Sequence, residues 1–165
     1  MSSRRLCGIA LTLTLLAALA APSLSCPTPR HSAAMREPIA DTLRLELEVA
    51  GEVPLGSPVP VVIRARNLTD GALTLYLVGD EIVYDLLVWH MDGTLIYRRL
   101  EGQAVPMVLR IETIAPREAL TLMGSWDQRT SAGTSVGPGS YRIQGELPTD
   151  EAPLRTPTMS FGIRQ

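Results

Sequence analysis

Over most of the chain, apolar and polar residues alternate in short runs separated by turn formers, the period of half-buried strands rather than of helices. Residues 42–49 (TLRLELEV) alternate throughout, and the folded region is expected to begin at Asp41. Residues 51–58 read as turn material, after which Val61, Ile63 and Ala65 mark one face of a second strand. The cluster Asn67-Leu68-Thr69-Asp70-Gly71 turns the chain into a strand over residues 73–78, which Gly79-Asp80 ends. Residues 83–91 are apolar on both faces, predicting a central strand. Asp92-Gly93 is the dipeptide of a two-residue hairpin, with the return strand over residues 94–97. Further strands are predicted over residues 109–114, in the run where Leu120, Leu122 and Trp126 share a face, over residues 141–147, and through Met159, Phe161 and Ile163. About nine short strands with turn signals between them predict an all-β fold, an antiparallel β-sandwich.

Composition agrees with this pattern and narrows the chemistry. The 165 residues suffice for one ordinary domain and a tail. At 45% hydrophobic and 19% charged, the chain is apolar enough to fold without a disulfide, and 13 Gly and 13 Pro suit many turns. All 15 basic residues are Arg, the net charge is −2, and no basic run is present, which argues against a nucleic-acid partner. With two His and two Cys, little material exists for a metal centre or a nucleophilic enzyme, and no cofactor is expected.

The N-terminus reads as an export signal over residues 1–25. Arg4 and Arg5 precede an apolar stretch that is too short for a comfortable membrane span and ends in small residues. Cys26 follows Ser25 directly and would be the lone Cys after signal removal, which makes it the expected lipidation site, although Leu24 stands one place closer than a lipobox prefers. Residues 26–40, rich in Pro, Ser and Ala, read as a flexible tether. The expected location is therefore the periplasm or cell surface, with membrane contact through a lipid anchor at Cys26, or secretion.

Each chemically suggestive residue has a plainer reading. Trp126 shares a face with Leu120 and Leu122 and is expected in the core. Tyr141, after Pro138-Gly139, fits a tyrosine corner whose hydroxyl ties strand to loop. Asp85 and His90 lie on one strand at odd and even positions and therefore point to opposite faces, so neither a metal site nor an acid–base pair follows. His31 falls in the tether. Ser131 and Ser135 have no nucleophile elbow around them. Asp80-Glu81 and Asp150-Glu151 read as solvated turns, and the sequon Asn67-Leu68-Thr69 is explained by its turn. No catalytic set is predicted.

Five landmarks in order resemble the BsuPI-type domain family, named for a bacterial intracellular proteinase inhibitor. They are the Asn67-x-Thr69 turn, Tyr84-Asp85-Leu86-x-Val88, the Asp92-Gly93 hairpin, Trp126-Asp127-Gln128 after Leu120, and Val136-Gly137-Pro138-Gly139-x-Tyr141. The resemblance covers residues 41 to about 164 and implies an immunoglobulin-like β-sandwich with a protein-binding, protease-inhibitory role. The founding activity is cytoplasmic, whereas this chain carries an export signal, so a serine protease or another protein of the cell envelope is the expected partner. The alternative is a structural accessory domain of the envelope, which would expose an apolar patch or a free sheet edge instead.

Two connections are candidates for partner binding, since recognition residues collect on loops held by a scaffold. Residues 128–137 form the longest polar connection, with Arg129, Thr130 and Ser131 at its start, although a Gly/Ser/Thr-rich stretch fits a merely mobile loop better than a binding one. The rival is the shorter loop over residues 98–106, where Arg98, Arg99 and Leu100 are the anchors.

Overall fold

A computed structural model describes residues 42–165; the expected signal peptide, Cys26 and the tether lie outside them. The described strands are β1 (Leu43–Val49), β2 (Glu52–Pro54), β3 (Val59–Asn67), β4 (Leu73–Val78), β5 (Asp85–His90), β6 (Leu95–Arg98), β7 (Leu109–Ile114), β8 (Ala119–Trp126), β9 (Gly139–Leu147), β10 (Leu154–Arg155) and β11 (Met159–Arg164).

One sheet has the order β1-β3-β8 and the facing sheet β2-β11-β9-β5-β6, with β10 beside β9 and a separate β4-β7 ribbon. This is an immunoglobulin-like sandwich. Strands in the A, B and E positions face strands in the A′, G, F, C and C′ positions, and the first strand changes sheets after β1 so that β2 runs parallel to β11. Ile63 and Val61 on β3, Leu86 and Val88 on β5, and Ile143 on β9 meet Trp126 in the main core. A second cluster, with Leu43, Leu75, Leu77 and Leu147, fills the other end of the sandwich. The layers approach closely at Gly145, where an added Cβ would stand 2.6 Å from Ile63 Cδ1.

Several expectations are corrected. Eleven strands are present among the described residues rather than about nine, because β2, inside the expected turn over residues 51–58, and β10 are too short to show a period. The two-residue hairpin is a longer loop: His90 N–H donates to the Thr94 carbonyl (2.9 Å), so Met91, Asp92 and Gly93 all lie in the turn, with Gly93 at φ 95°. The extra residue is taken up by a register shift at Val88/Trp89. Residues 83 and 84 fall outside β5, which lies between β9 and β6.

Trp126 is fully buried, and the Tyr141 hydroxyl donates to the Gly137 carbonyl (2.6 Å), closing the tyrosine corner four residues upstream. Burial raises the Tyr141 pKa above the ordinary tyrosine value, so the hydroxyl keeps its proton as donor. Tyr141→Phe is expected to lower stability by about 1 kcal/mol, the net worth of one such bond. Denaturant unfolding checks this, and an unchanged midpoint would contradict it.

Candidate functional site

The two candidate connections lie side by side. Ser131 N–H donates to the Ile96 carbonyl on β6 (2.9 Å), and Arg98 N–H donates back to Ser131 Oγ (3.0 Å). These reciprocal bonds dock the β8–β9 connection against the edge of β6 that, among the described residues, pairs with no other strand. The result is an open cleft of about 480 Å³ whose walls include Arg98, Arg99 and Glu101 on one side and Asp127, Arg129 and Ser131 on the other. Thr130 and the Tyr97 ring also line it. All five residues singled out for partner binding therefore stand around a single depression, as one surface rather than as rivals.

Each wall is anchored in the core. At the base of the β8–β9 connection, Gln128 is buried and takes up φ 59°, a left-handed conformation uncommon for a non-glycine residue. Its side chain supports that conformation: Nε2 donates to the carbonyls of Pro54 (2.8 Å) and Ser57 (2.6 Å), and Oε1 accepts from Gly56 N–H (2.7 Å). Trp126 Nε1 donates to the Arg129 carbonyl (2.7 Å), and Val136, itself buried, donates its N–H to the Gln128 carbonyl (2.9 Å). Thr130 N–H bonds Thr134 O and Gly133 N–H bonds Thr130 O, both at 2.8 Å, closing a small hairpin at the tip. Hydrogen bonds thus hold this connection at both its base and its tip. The composition that suggests mobility supplies the short side chains and the Gly133 φ of 82° that a tight turn needs.

The facing wall is held by a buried carboxylate. Asp85, 1% exposed, accepts from Leu86 N–H (2.9 Å) and Leu100 N–H (3.0 Å) through Oδ1, and from Arg98 Nε (2.6 Å) through Oδ2. The hydrogen bond to Asp85 and its charge raise the Arg98 pKa, so this guanidinium remains charged. Opposite Asp85 on β9, Glu146 is also buried and pairs with Arg155 (2.5 Å). Arg99 stacks over the Tyr84 ring (4.2 Å to its centre) and donates to the Tyr84 carbonyl (2.7 Å). Arg98, expected as an anchor on the loop, instead ends β6 and pairs with Asp85. His90 lies apart, exposed and against the Tyr141 ring, so Asp85 and His90 do diverge.

Arg129 keeps a half-exposed guanidinium. One amino group donates to the Gly133 carbonyl (2.8 Å), and Nε lies 3.8 Å from the exposed Asp127 carboxylate. The cleft therefore mixes cations with the carboxylates of Asp127 and Glu101, and presents hydroxyls from Thr130 and Tyr97. Burial raises the Tyr97 pKa and keeps that hydroxyl protonated. Such a lining suits hydrogen bonding and ion pairing with a peptide-like ligand. Asp127, Glu101 and the anchors Asp85 and Gln128 were missed as site residues. The available signal was an acid at Asp85 inside a run otherwise apolar on both faces.

Replacing Asp85 by Ala leaves two backbone N–H groups without their acceptor and Arg98 without its counter-ion. The expected loss is about 2–3 kcal/mol, held down because Arg98 is half exposed and water can solvate it. Equilibrium unfolding measures this, and a loss below about 0.5 kcal/mol would contradict the anchoring role.

Fold and cleft define an immunoglobulin-like β-sandwich with a pre-formed two-walled surface at one sheet edge. No family model and no curated protein sequence matches the chain. Among solved structures it is similar to a CARDB domain from Pyrococcus furiosus in complex with di-metal ions, at 15% identity over 74% of this chain and 87% of that one, with a TM-score of 0.39. It is also similar to part of a β-glucosidase from Listeria innocua (12% identity, 74% of this chain, 16% of that chain, TM-score 0.40). A third similarity is to part of the alkylpurine DNA glycosylase AlkC from Pseudomonas fluorescens (9% identity, 75% and 30% covered, TM-score 0.42).

Proposed function

We propose that the protein is a non-enzymatic protein-binding domain, exported to the cell envelope, whose cleft between residues 98–103 and 127–133 receives an exposed segment of a partner protein. The partner to which the BsuPI resemblance points is a serine protease. The observation that carries this reading is pre-organisation. Both walls are bonded to each other and to buried side chains, so little ordering entropy opposes binding, which a floppy loop would have to overcome.

The test is capture from an envelope fraction with the full chain as bait, followed by affinity measurement with an Arg129→Glu, Thr130→Ala variant. Recovery of a protease, and affinity at least about tenfold weaker for the variant at an unchanged melting temperature, is the expected result. A recovered partner that binds the variant equally well would remove the cleft from consideration. The second reading, a structural accessory domain, is favoured by one separate feature: the exposed apolar side of β7, with Leu109 and Ile111 more than half exposed.

A further inference from the structure

Among the described residues, β7 is an edge strand that pairs with β4 alone and has no strand partner on its outer side. The direction of its hydrogen bonds follows from the neighbouring pairs. Gly79 N–H donates to Val108 O, while on the other side of β4 Val78 N–H donates to Pro148 O and Asp150 N–H to Tyr76 O. An antiparallel ladder alternates, so Arg110 and Glu112 turn their backbone groups toward β4. Leu109, Ile111 and Thr113 turn theirs outward. These three side chains also share the exposed face of the ribbon, with Tyr76 opposite Ile111.

Open edges are ordinarily blunted by Pro, by a bulge or by a run of like charge. Here the two charges in the strand are of opposite sign and flank its centre as Arg110-Ile111-Glu112, a pattern complementary to itself. We propose that β7 pairs antiparallel with β7 of a second copy about a two-fold axis at Ile111, joining the two β4-β7 ribbons into one continuous sheet. This proposal is independent of the cleft reading.

The register is specified by the sequence. With Ile111 opposite Ile111 of the second copy, the outward groups of Leu109, Ile111 and Thr113 all find partners, and Arg110 falls directly opposite Glu112 in both directions. A slip that keeps the outward groups in phase sets Arg110 against Arg110, or Glu112 against Glu112, and like charges directly opposite are unfavourable. An isologous contact of this kind closes at a dimer rather than growing into a fibre. One strand edge buries little area, so the dimer is weak and concentration-dependent.

Sedimentation of the full chain across a concentration series tests this, using Arg110→Glu and Glu112→Arg separately and then mixed. The wild type should dimerise reversibly. Each single variant sets like charges opposite one another and should associate at least about tenfold more weakly. Mixing the two variants sets a chain with two acids against a chain with two bases and should restore association as a heterodimer. That recovery distinguishes pairing between copies from loss of the Arg110–Glu112 ion pair within one chain, which mixing cannot repair. A wild type that stays monomeric throughout, or single variants that dimerise as well as it does, would overturn the proposal. So would a mixture that fails to recover while both variants melt like the wild type.

Discussion

Replacing Trp126 by Ala is expected to destabilise the protein by about 3–5 kcal/mol, a large part of what a domain of this size has to lose. The indole is fully buried and lies within 6.1 Å, centre to centre, of the Tyr97, Tyr141 and Phe161 rings, two of these contacts being edge-on. No single neighbour can collapse into the space it would leave, because these rings sit on three different strands. A second consequence separates Trp126 from an ordinary core residue. Its Nε1 holds the Arg129 carbonyl, so the variant should also show faster amide exchange at Thr130 and Ser131 than its global stability alone predicts. Urea unfolding and hydrogen exchange check the two parts. A loss under about 1 kcal/mol would place the ring outside the core and contradict both.

Asn67→Ala is expected to cost about 3–4 kcal/mol, since buried polar partners left unmade carry the full desolvation penalty. Asn67 is fully buried at the end of β3. Its Nδ2 donates to the carbonyls of Gly71 (2.7 Å), Ile114 (3.1 Å) and Ala115 (3.1 Å). Its Oδ1 accepts from Thr69 N–H (2.9 Å) and Thr69 Oγ (2.8 Å). One side chain thus closes the turn before β4 and ties it to the turn between β7 and β8. Asn67→Asp should be no better, because the acid presents oxygen to three carbonyl oxygens. Thermal unfolding of both variants checks this, and an Asp variant as stable as the wild type would contradict the assignment of donors. The sequon is accounted for by the same geometry: its amide nitrogen is buried and engaged in the folded chain.

Strands with clean alternation were legible in the sequence. In β3 every second residue is buried, so burial follows from parity, and most of β1 and β9 follows the same rule, with the buried Glu146 as the exception that parity does not give. What escaped was structure made by single residues acting over long separations. β2 spans Glu52–Pro54 and exists because β11, over a hundred residues later, lends it a parallel partner. The base of the β8–β9 connection is tied to the body of the domain by Gln128 reaching the carbonyls of Pro54 and Ser57, and no local propensity reports that reach.

The candidate site divides in the same way. Arg98, Arg99, Arg129, Thr130 and Ser131 were recognisable as polar residues on connections between anchored strands. Their convergence depends on a bond between Ser131 and Ile96, which periodicity cannot reveal. Asp85 shows the physical reason most plainly. A carboxylate in an apolar strand reads as an interruption until the Arg98 guanidinium and the Leu100 amide are brought to it by the return of β6.

The central claim is that the cleft between residues 98–103 and 127–133 is the binding face, and hydrogen exchange of the full chain with and without its captured partner tests it most directly. On binding, amide protection should rise in both segments together, with the Trp126 and Tyr141 strands unchanged. Protection confined to residues 107–114, with none gained in the cleft, would contradict the account.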